Sequence, residues 1–161
     1  PTGPFLNRVL RLHAGKGQKI SEEELQMWFT LNRYQFQPKL EYFLSQGKIV
    51  IAEDYIGTGI AWGTAKGASE TWLTSLNQYL LQEDLSILLK GQRFLKSKEH
   101  GHLHEADDPL VHKTGEILQK LARKNAWNIV QAGNNKEEKL EIFGDSNQTN
   151  QEVSVGGNFI K

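Results

Sequence analysis

The sequence predicts an α/β fold, a parallel sheet with flanking helices, and three observations carry that prediction. Apolar, β-branched runs recur at residues 49–52 (Ile-Val-Ile-Ala), 85–89 (Leu-Ser-Ile-Leu-Leu) and 127–130 (Trp-Asn-Ile-Val). The first is apolar on both faces, as a strand covered on both sides of a parallel sheet is. Segments with apolar residues at helical spacing separate these runs, and a strand–helix–strand order closes into a sheet by right-handed crossovers. Two acids, Glu53 and Asp54, follow the first run at once. In open α/β sheets ligands bind just past the carboxyl ends of the strands, so this pair stands at the expected ligand edge.

Taken in order, the elements justify themselves as follows. Thr2-Gly3-Pro4 is a loop feeding a short helix through Phe5, Leu6, Val9 and Leu10, and residues 13–19 are a polar, glycine-bearing break. Ser21 before Glu22, Glu23 and Glu24 is a helix start, a capping hydroxyl followed by acids at the positive end of the dipole. The helix carries an apolar stripe through Leu25, Trp28, Phe29, Phe36, Leu40, Phe43 and Leu44. Pro38 is expected to kink or divide it, and Gly47 to close it. After the first strand, a helix is predicted over 70–81 and a second strand over 85–89. A polar, histidine-rich segment occupies 96–105. Asp107 or Asp108 with Pro109 opens a helix through Leu110, Ile117, Leu118 and Leu121 to about Asn125. A third strand at 127–130, a short helix at 137–143 and a polar tail complete the chain. The tail, residues 144–161, is rich in Asn, Gln, Ser and Gly, with an edge strand expected at 152–155. No internal repeat is present, and 1–143 read as one domain.

Composition narrows the function classes. The 161 residues suit one domain. Lysine plus arginine and aspartate plus glutamate each number 19, which argues against a general nucleic-acid binder. Cysteine is absent, so no disulfide framework or thiolate chemistry is available. No apolar run approaches the roughly 20 residues of a membrane helix, and no leader pattern opens the sequence. A soluble, cytoplasmic protein is expected. The sequence begins at Pro1 with Met27 its single methionine; either an initiator methionine is removed or the natural start lies upstream.

Several residues carry candidate chemistry. Arg33 sits beside the apolar line of the second helix. There it is either a snorkelling or paired arginine or an anion clamp, since guanidinium matches phosphate in bidentate geometry. Phe29, one turn earlier, is core or a stacking surface for a base. Glu53 and Asp54 are solvated loop acids or groups for magnesium or a substrate hydroxyl. Thr58, Gly59 and Trp62 suit a pocket wall, with core packing the alternative for Trp62, and the glycines let backbone approach a ligand. His100, His102, His104 and Glu105 have zinc-ligand chemistry but no clear fourth partner beyond His112, and a charged mobile loop is the better account of them. A phosphate-binding loop, G-x-x-x-x-G-K-[ST], occurs nowhere in the sequence; neither Gly15-Lys16-Gly17 nor residues 63–67 fit it.

The order of these motifs resembles the thymidylate kinase family from the first residues to about Phe143. Trp28-Phe-Thr-Leu-Asn-Arg33 is similar to that family's segment ending in Asn-Arg or Asp-Arg, with Pro38 at the expected offset. Leu44-Ser-Gln-Gly-Lys-Ile-Val-Ile51 is similar to the loop and strand that follow it. Ala52-Glu-Asp-Tyr55 stands where the family has Asp-Arg-Tyr or Asp-Arg-His. Thr58-Gly-Ile-Ala-Trp62, with Ala65-Lys-Gly67 beyond it, resembles its Ser-Gly-x-Ala-aromatic segment. Asp84-Leu-Ser-Ile-Leu-Leu89 resembles its Pro-Asp-Leu strand, and residues 96–105 fall at its mobile lid.

The resemblance implies a P-loop-kinase-like parallel sheet with flanking helices, lacking the first strand–P-loop–helix unit. It implies transfer of the γ-phosphoryl group of ATP to dTMP with Mg2+, and a homodimer. By position, Phe29 would stack on thymine and Arg33 would hold the base or phosphate. Asp54, Tyr55, Thr58, Gly59 and Trp62 would line the nucleotide pocket. Glu53 would take the place of the family's aspartate near the acceptor phosphate or magnesium. Lys96 and Lys98 would supply lid charge, and Ala132, Gly133 and Asn134 would lie near adenine. The sequence departs from the pattern in three places: the P-loop is missing, Glu53-Asp54 replaces Asp-Arg, and no arginine lies between Lys96 and Glu105. The alternative expectation is a noncatalytic nucleotide-binding or interaction protein with the same fold. A metal-dependent hydrolase using His100, His102 and His104 is a third.

Overall fold

The computed structural model describes residues 2–11, 20–91 and 108–131. The elements run in the order α1 (Gly3–Arg11), α2 (Glu22–Ser45), α3 (Ile56–Ala65), α4 (Glu70–Asn77), β1 (Ile87–Lys90), α5 (Asp108–Lys124) and β2 (Asn128–Gln131). β1 and β2 pair in parallel, Ile87 opposite Asn128 and Lys90 opposite Gln131, with α5 as the connecting helix. The parallel sheet flanked by helices is the fold class the sequence predicts.

Local chemistry sets the helix ends. Ser21 is extended, and its Oγ accepts from the Glu24 N–H at 3.1 Å, with Glu22, Glu23 and Glu24 in the first turn. α2, α3 and α5 finish in one way. A residue of positive φ follows the helix, and the next N–H reaches back to a carbonyl in the last turn. Lys48 donates to Phe43 O past Gly47 (φ 71°), Ala68 to Gly63 O past Gly67 (φ 106°), and Trp127 to Ala122 O past Ala126 (φ 53°). Pro38 lies inside α2 without dividing it. Its ring is exposed, so the bond it cannot make is lost where water reaches. One residue earlier, Gln37 Oε1 accepts the Leu81 N–H at 2.9 Å and anchors the helix.

The core lies among α3, α4 and α5. Ile56, Ile60, Ala61, Ala68, Leu73, Leu80 and Leu121 form it, with Ile117, Leu118 and Trp127 against its edge. α3 is a helix that the sequence does not announce, because glycine disfavours helix interiors. Packing overrides that preference. A Cβ at Gly57 would strike the Trp127 ring, one at Gly59 would lie 2.5 Å from Arg33 Nη2, and one at Gly63 would lie 2.8 Å from Leu73 Cδ1.

The structure corrects several expectations. Residues 49–52 form no strand, and Ile49 and Ile51 are 86% and 58% exposed. A strand exists by pairing, and among the described residues the sheet holds β1 and β2 alone. The helix expected over 70–81 stops at Asn77, where the Leu80 N–H turns back to the Asn77 carbonyl. β1 starts two residues later than expected, leaving Leu85 exposed. The buried line of α2 follows the apolar stripe only in part: Leu25 and Leu40 are buried, but Phe36 and Leu44 are exposed, and Gln26 and Thr30 are each 2% exposed. Residues 13–19, 96–105, 137–143 and 152–155 of the predicted organisation lie outside the described residues. No helix among the described residues is long and apolar enough to cross a membrane.

Candidate functional site

The buried side of α2 carries polar residues at helical spacing, Gln26, Thr30, Arg33 and Gln37. Arg33 is the charged member of that line. Its Nη1 donates to Asn77 Oδ1 at 3.1 Å and its Nη2 to the Tyr55 carbonyl at 3.0 Å. Gly59 lies against the guanidinium, since any Cβ there would overlap Nη2. Three elements thus meet on one side chain: α2 supplies it, α4 supplies an amide oxygen, and the start of α3 supplies a carbonyl and an open face. Burial pushes Arg33 below its ordinary pKa, and Tyr55, Asp54 and Glu83 oppose that shift. The guanidinium stays protonated at physiological pH.

Asn77 is 3% exposed, and both its amide nitrogen and its amide oxygen are bonded. Its Nδ2 donates to the Leu73 carbonyl at 2.8 Å, and its Oδ1 also accepts from Thr30 Oγ1 at 3.4 Å. Tyr55 caps α3 without a side-chain bond to the helix. Its buried hydroxyl has no hydrogen-bond partner among the described residues. Burial raises its pKa; Glu83 adds to the rise and Arg33 opposes it. Asp54 holds a left-handed backbone, φ 55°, a conformation that aspartate tolerates better than most side chains. It turns the chain from residues 49–52 into α3.

The predicted site residues come together only in part. Arg33, Tyr55 and Gly59 come together as described. Phe29 lies one turn before Arg33 on α2 and Trp62 one turn after Gly59 on α3, both partly buried like Thr58. Glu53 and Asp54 are exposed on the connection into α3. Lys96, Lys98, Ala132, Gly133 and Asn134 lie outside the described residues. Among those described, no group of three histidine, cysteine or acidic side chains is arranged to hold a metal; His100, His102 and His104 are not among them.

A cavity of about 530 Å³ adjoins this centre, within the range of small-molecule sites. It is lined by Ile56 and Gly57 of α3, Asn77 of α4, and Leu85, Ser86 and Trp127, which lead into β1 and β2. The start of α3 therefore faces the amino ends of the two strands. The expectation that Glu53 and Asp54 stand past the carboxyl ends does not hold, because the run preceding them is not part of the sheet. Sequence reasoning also missed Asn77 and Thr30. For Thr30 the available signal was the polar spacing 26, 30, 33, 37 along α2; Asn77, on α4, has no such signal.

Comparison with known proteins decides the family. The family profile described as Thymidylate kinase matches residues 1–141. The chain belongs to the thymidylate kinase family. A Pyrococcus abyssi protein named "Probable thymidylate kinase" is 30% identical over 134 residues, covering 78% of this chain and 62% of its own length. The Dictyostelium discoideum protein named "Thymidylate kinase" is 22% identical over 134 residues, 82% of this chain and 59% of its own. The chain thus spans about three fifths of the length of these relatives. The solved structure of thymidylate kinase from Candida albicans superposes with a TM-score of 0.67 at 23% identity, covering 83% of this chain and 68% of that one. That match shows a shared fold, the P-loop-kinase-like parallel sheet with flanking helices.

Proposed function

We propose that the protein carrying this sequence is a thymidylate kinase-like nucleoside monophosphate kinase, transferring the γ-phosphoryl of ATP to dTMP to give dTDP. The observation that carries the reading is the Arg33 centre. A protonated guanidinium is tied to Asn77 and Tyr55 by two N–H groups, and arginine has five such donors. A nucleotide's anionic phosphate or a base carbonyl is a fitting partner for the remainder. Phe29 and Trp62 supply the aromatic surfaces on either side in sequence, α2 and α3, and Thr58 a hydroxyl. Glu53, exposed at the approach to α3, has the chemistry to join a magnesium ion held mainly by nucleotide phosphates, which needs only one or two protein carboxylates.

ATP and Mg2+ enter this proposal from the family. No residues of this sequence form a glycine-rich phosphate loop, so no step through ATP is assigned to this chain. Lys96 and Lys98 are proposed to face the transferring phosphate, and Ala132, Gly133 and Asn134 the adenine. A homodimer in the cytoplasm completes the reading; the outward apolar pair Met27 and Leu31 on α2, 48% and 43% exposed, supports the dimer. The test is dTDP formation from dTMP, ATP and Mg2+ by the native polypeptide that carries this sequence. ATP-dependent dTDP is expected; its absence, with dTMP still bound, would replace catalysis by nucleotide binding.

A further inference from the structure

Asn77 is absent from every expectation drawn from the sequence, yet it is the most constrained polar side chain at the centre. It sits in the last turn of α4 with 3% exposure, beside Thr30 at 2%. Burying an amide costs free energy unless its donor and acceptor are both met. Here Nδ2 is anchored on the Leu73 carbonyl one turn back, at 2.8 Å. That bond fixes the amide plane and sets Oδ1 toward α2. Oδ1 then takes two donors, Arg33 Nη1 at 3.1 Å and Thr30 Oγ1 at 3.4 Å. The geometry does not suit a residue present only to end α4, since the anchor bond alone would do that.

We propose that Asn77 is a positioning residue: it fixes the Arg33 guanidinium, against the Tyr55 carbonyl and the bare face of Gly59, in the one orientation that meets an anionic nucleotide. The inference rests on the reading of Arg33 as the nucleotide-binding arginine. The anchor bond preorganises Oδ1, Oδ1 orients the guanidinium plane, and Gly59 leaves room where a Cβ would displace it. Without Asn77, Arg33 keeps its charge but gains rotational freedom, and a ligand must then order it on binding.

The test uses two variants. Asn77→Ser retains a hydroxyl able to bond the Leu73 carbonyl, as serine does one turn back in helices, but cannot reach Arg33. Asn77→Asp gives up the donor to the Leu73 carbonyl but keeps an acceptor for Arg33, now charged and held by the guanidinium itself. The first readout needs no ligand: nitrogen NMR of the Arg33 side chain. A held guanidinium gives separate Nη–H signals and a rotating one gives averaged signals. Separate signals are expected in wild type and Asn77→Asp, and averaged signals in Asn77→Ser. Separate signals in a folded Asn77→Ser would overturn the proposal.

The second readout is a double-mutant cycle on dTMP affinity. Asn77→Ser is expected to weaken binding about tenfold, comparable with losing one hydrogen bond to a charged group. It should have no further effect in the Arg33→Ala background. An equal loss in both backgrounds would make Asn77 merely structural. If Arg33→Ala leaves dTMP affinity unchanged, the reading of Arg33 as ligand fails, and the NMR result decides the orientation claim separately. Should Asn77→Ser not fold, Thr30→Val, which removes the second donor to Oδ1, is expected to broaden or shift the Nη–H signals. Unaltered signals would count against the proposal.

Discussion

Gly59 gives the sharpest prediction for a single residue. It is buried in α3, and the space a Cβ would take is held by Arg33 Nη2 at 2.5 Å and by Cζ at 3.1 Å. Gly59→Ala improves intrinsic helix propensity by about 1 kcal/mol, but overpacking a fixed neighbour costs about 1–3 kcal/mol. The two effects nearly cancel in stability and leave the guanidinium displaced. Gly59→Ala is therefore expected to keep its melting temperature within a few degrees while losing most dTMP affinity, checked by calorimetry on one preparation. Arg33→Ala differs. Loss of the guanidinium removes one of two donors from each acceptor, since Asn77 Oδ1 keeps Thr30 Oγ1 and the Tyr55 carbonyl keeps the Gly59 N–H. A cost of about 1.5–3 kcal/mol in denaturant unfolding is expected for each hydrogen bond to the charged group that is lost. The role of Arg33 as a charged group was legible from its place beside an apolar line. Its partners were not, because they lie 22 and 44 residues away in sequence and no local pattern reports a tertiary contact.

At the scale of elements, the helix ends and the α4–α5 contact are both testable. Gly47 and Gly67 take positive φ without penalty, whereas α5 places Ala126 at the equivalent position with φ 53°. A left-handed alanine costs roughly 1–2 kcal/mol relative to glycine, so Ala126→Gly is expected to raise stability by about 1 kcal/mol in urea unfolding. Glu70, in the first turn of α4, pairs with Lys124 at 3.1 Å and Lys120 at 3.6 Å on α5. The Lys124 hydrogen bond is the largest cause of its pKa lying below the ordinary carboxylate value. Because the folded pKa is the lower one, the stabilisation is present above the unfolded value, about 4.3, and is lost as pH falls through the folded value. Glu70→Gln should cost no more than about 1 kcal/mol at pH 7 for so accessible a pair, and the deficit should vanish in acid. Two helix starts were legible in sequence: the Ser21 cap marked α2, and Asp107 or Asp108 with Pro109 marked α5. α3 was not, because its glycines read as loop until the Trp127, Arg33 and Leu73 side chains that fill their space are known.

For the whole molecule, the difference between predicted and observed sheet is the main lesson. Residues 85–89 and 127–130 announced a parallel pair and formed one, shifted by one or two residues. Residues 49–52 have the same composition and no ladder partner among the described residues. Composition states that a segment is suited to a strand; only a neighbouring strand makes it one. Ile51 is 58% exposed and Leu73 is fully buried. In this chain Ile51→Ser is expected to change stability by less than about 0.5 kcal/mol, and Leu73→Ala to cost about 2–5 kcal/mol. A large loss for Ile51→Ser would mean that residues 49–52 are covered in solution.

The central claim is that the Arg33 centre recognises dTMP. The measurement that tests it most directly is a calorimetric titration of dTMP and AMP into the native polypeptide, repeated with Arg33→Ala. At least a tenfold preference for dTMP, abolished by the substitution, is the expected result. Equal affinity for the two nucleotides, or binding of dTMP that survives the loss of Arg33, would contradict it.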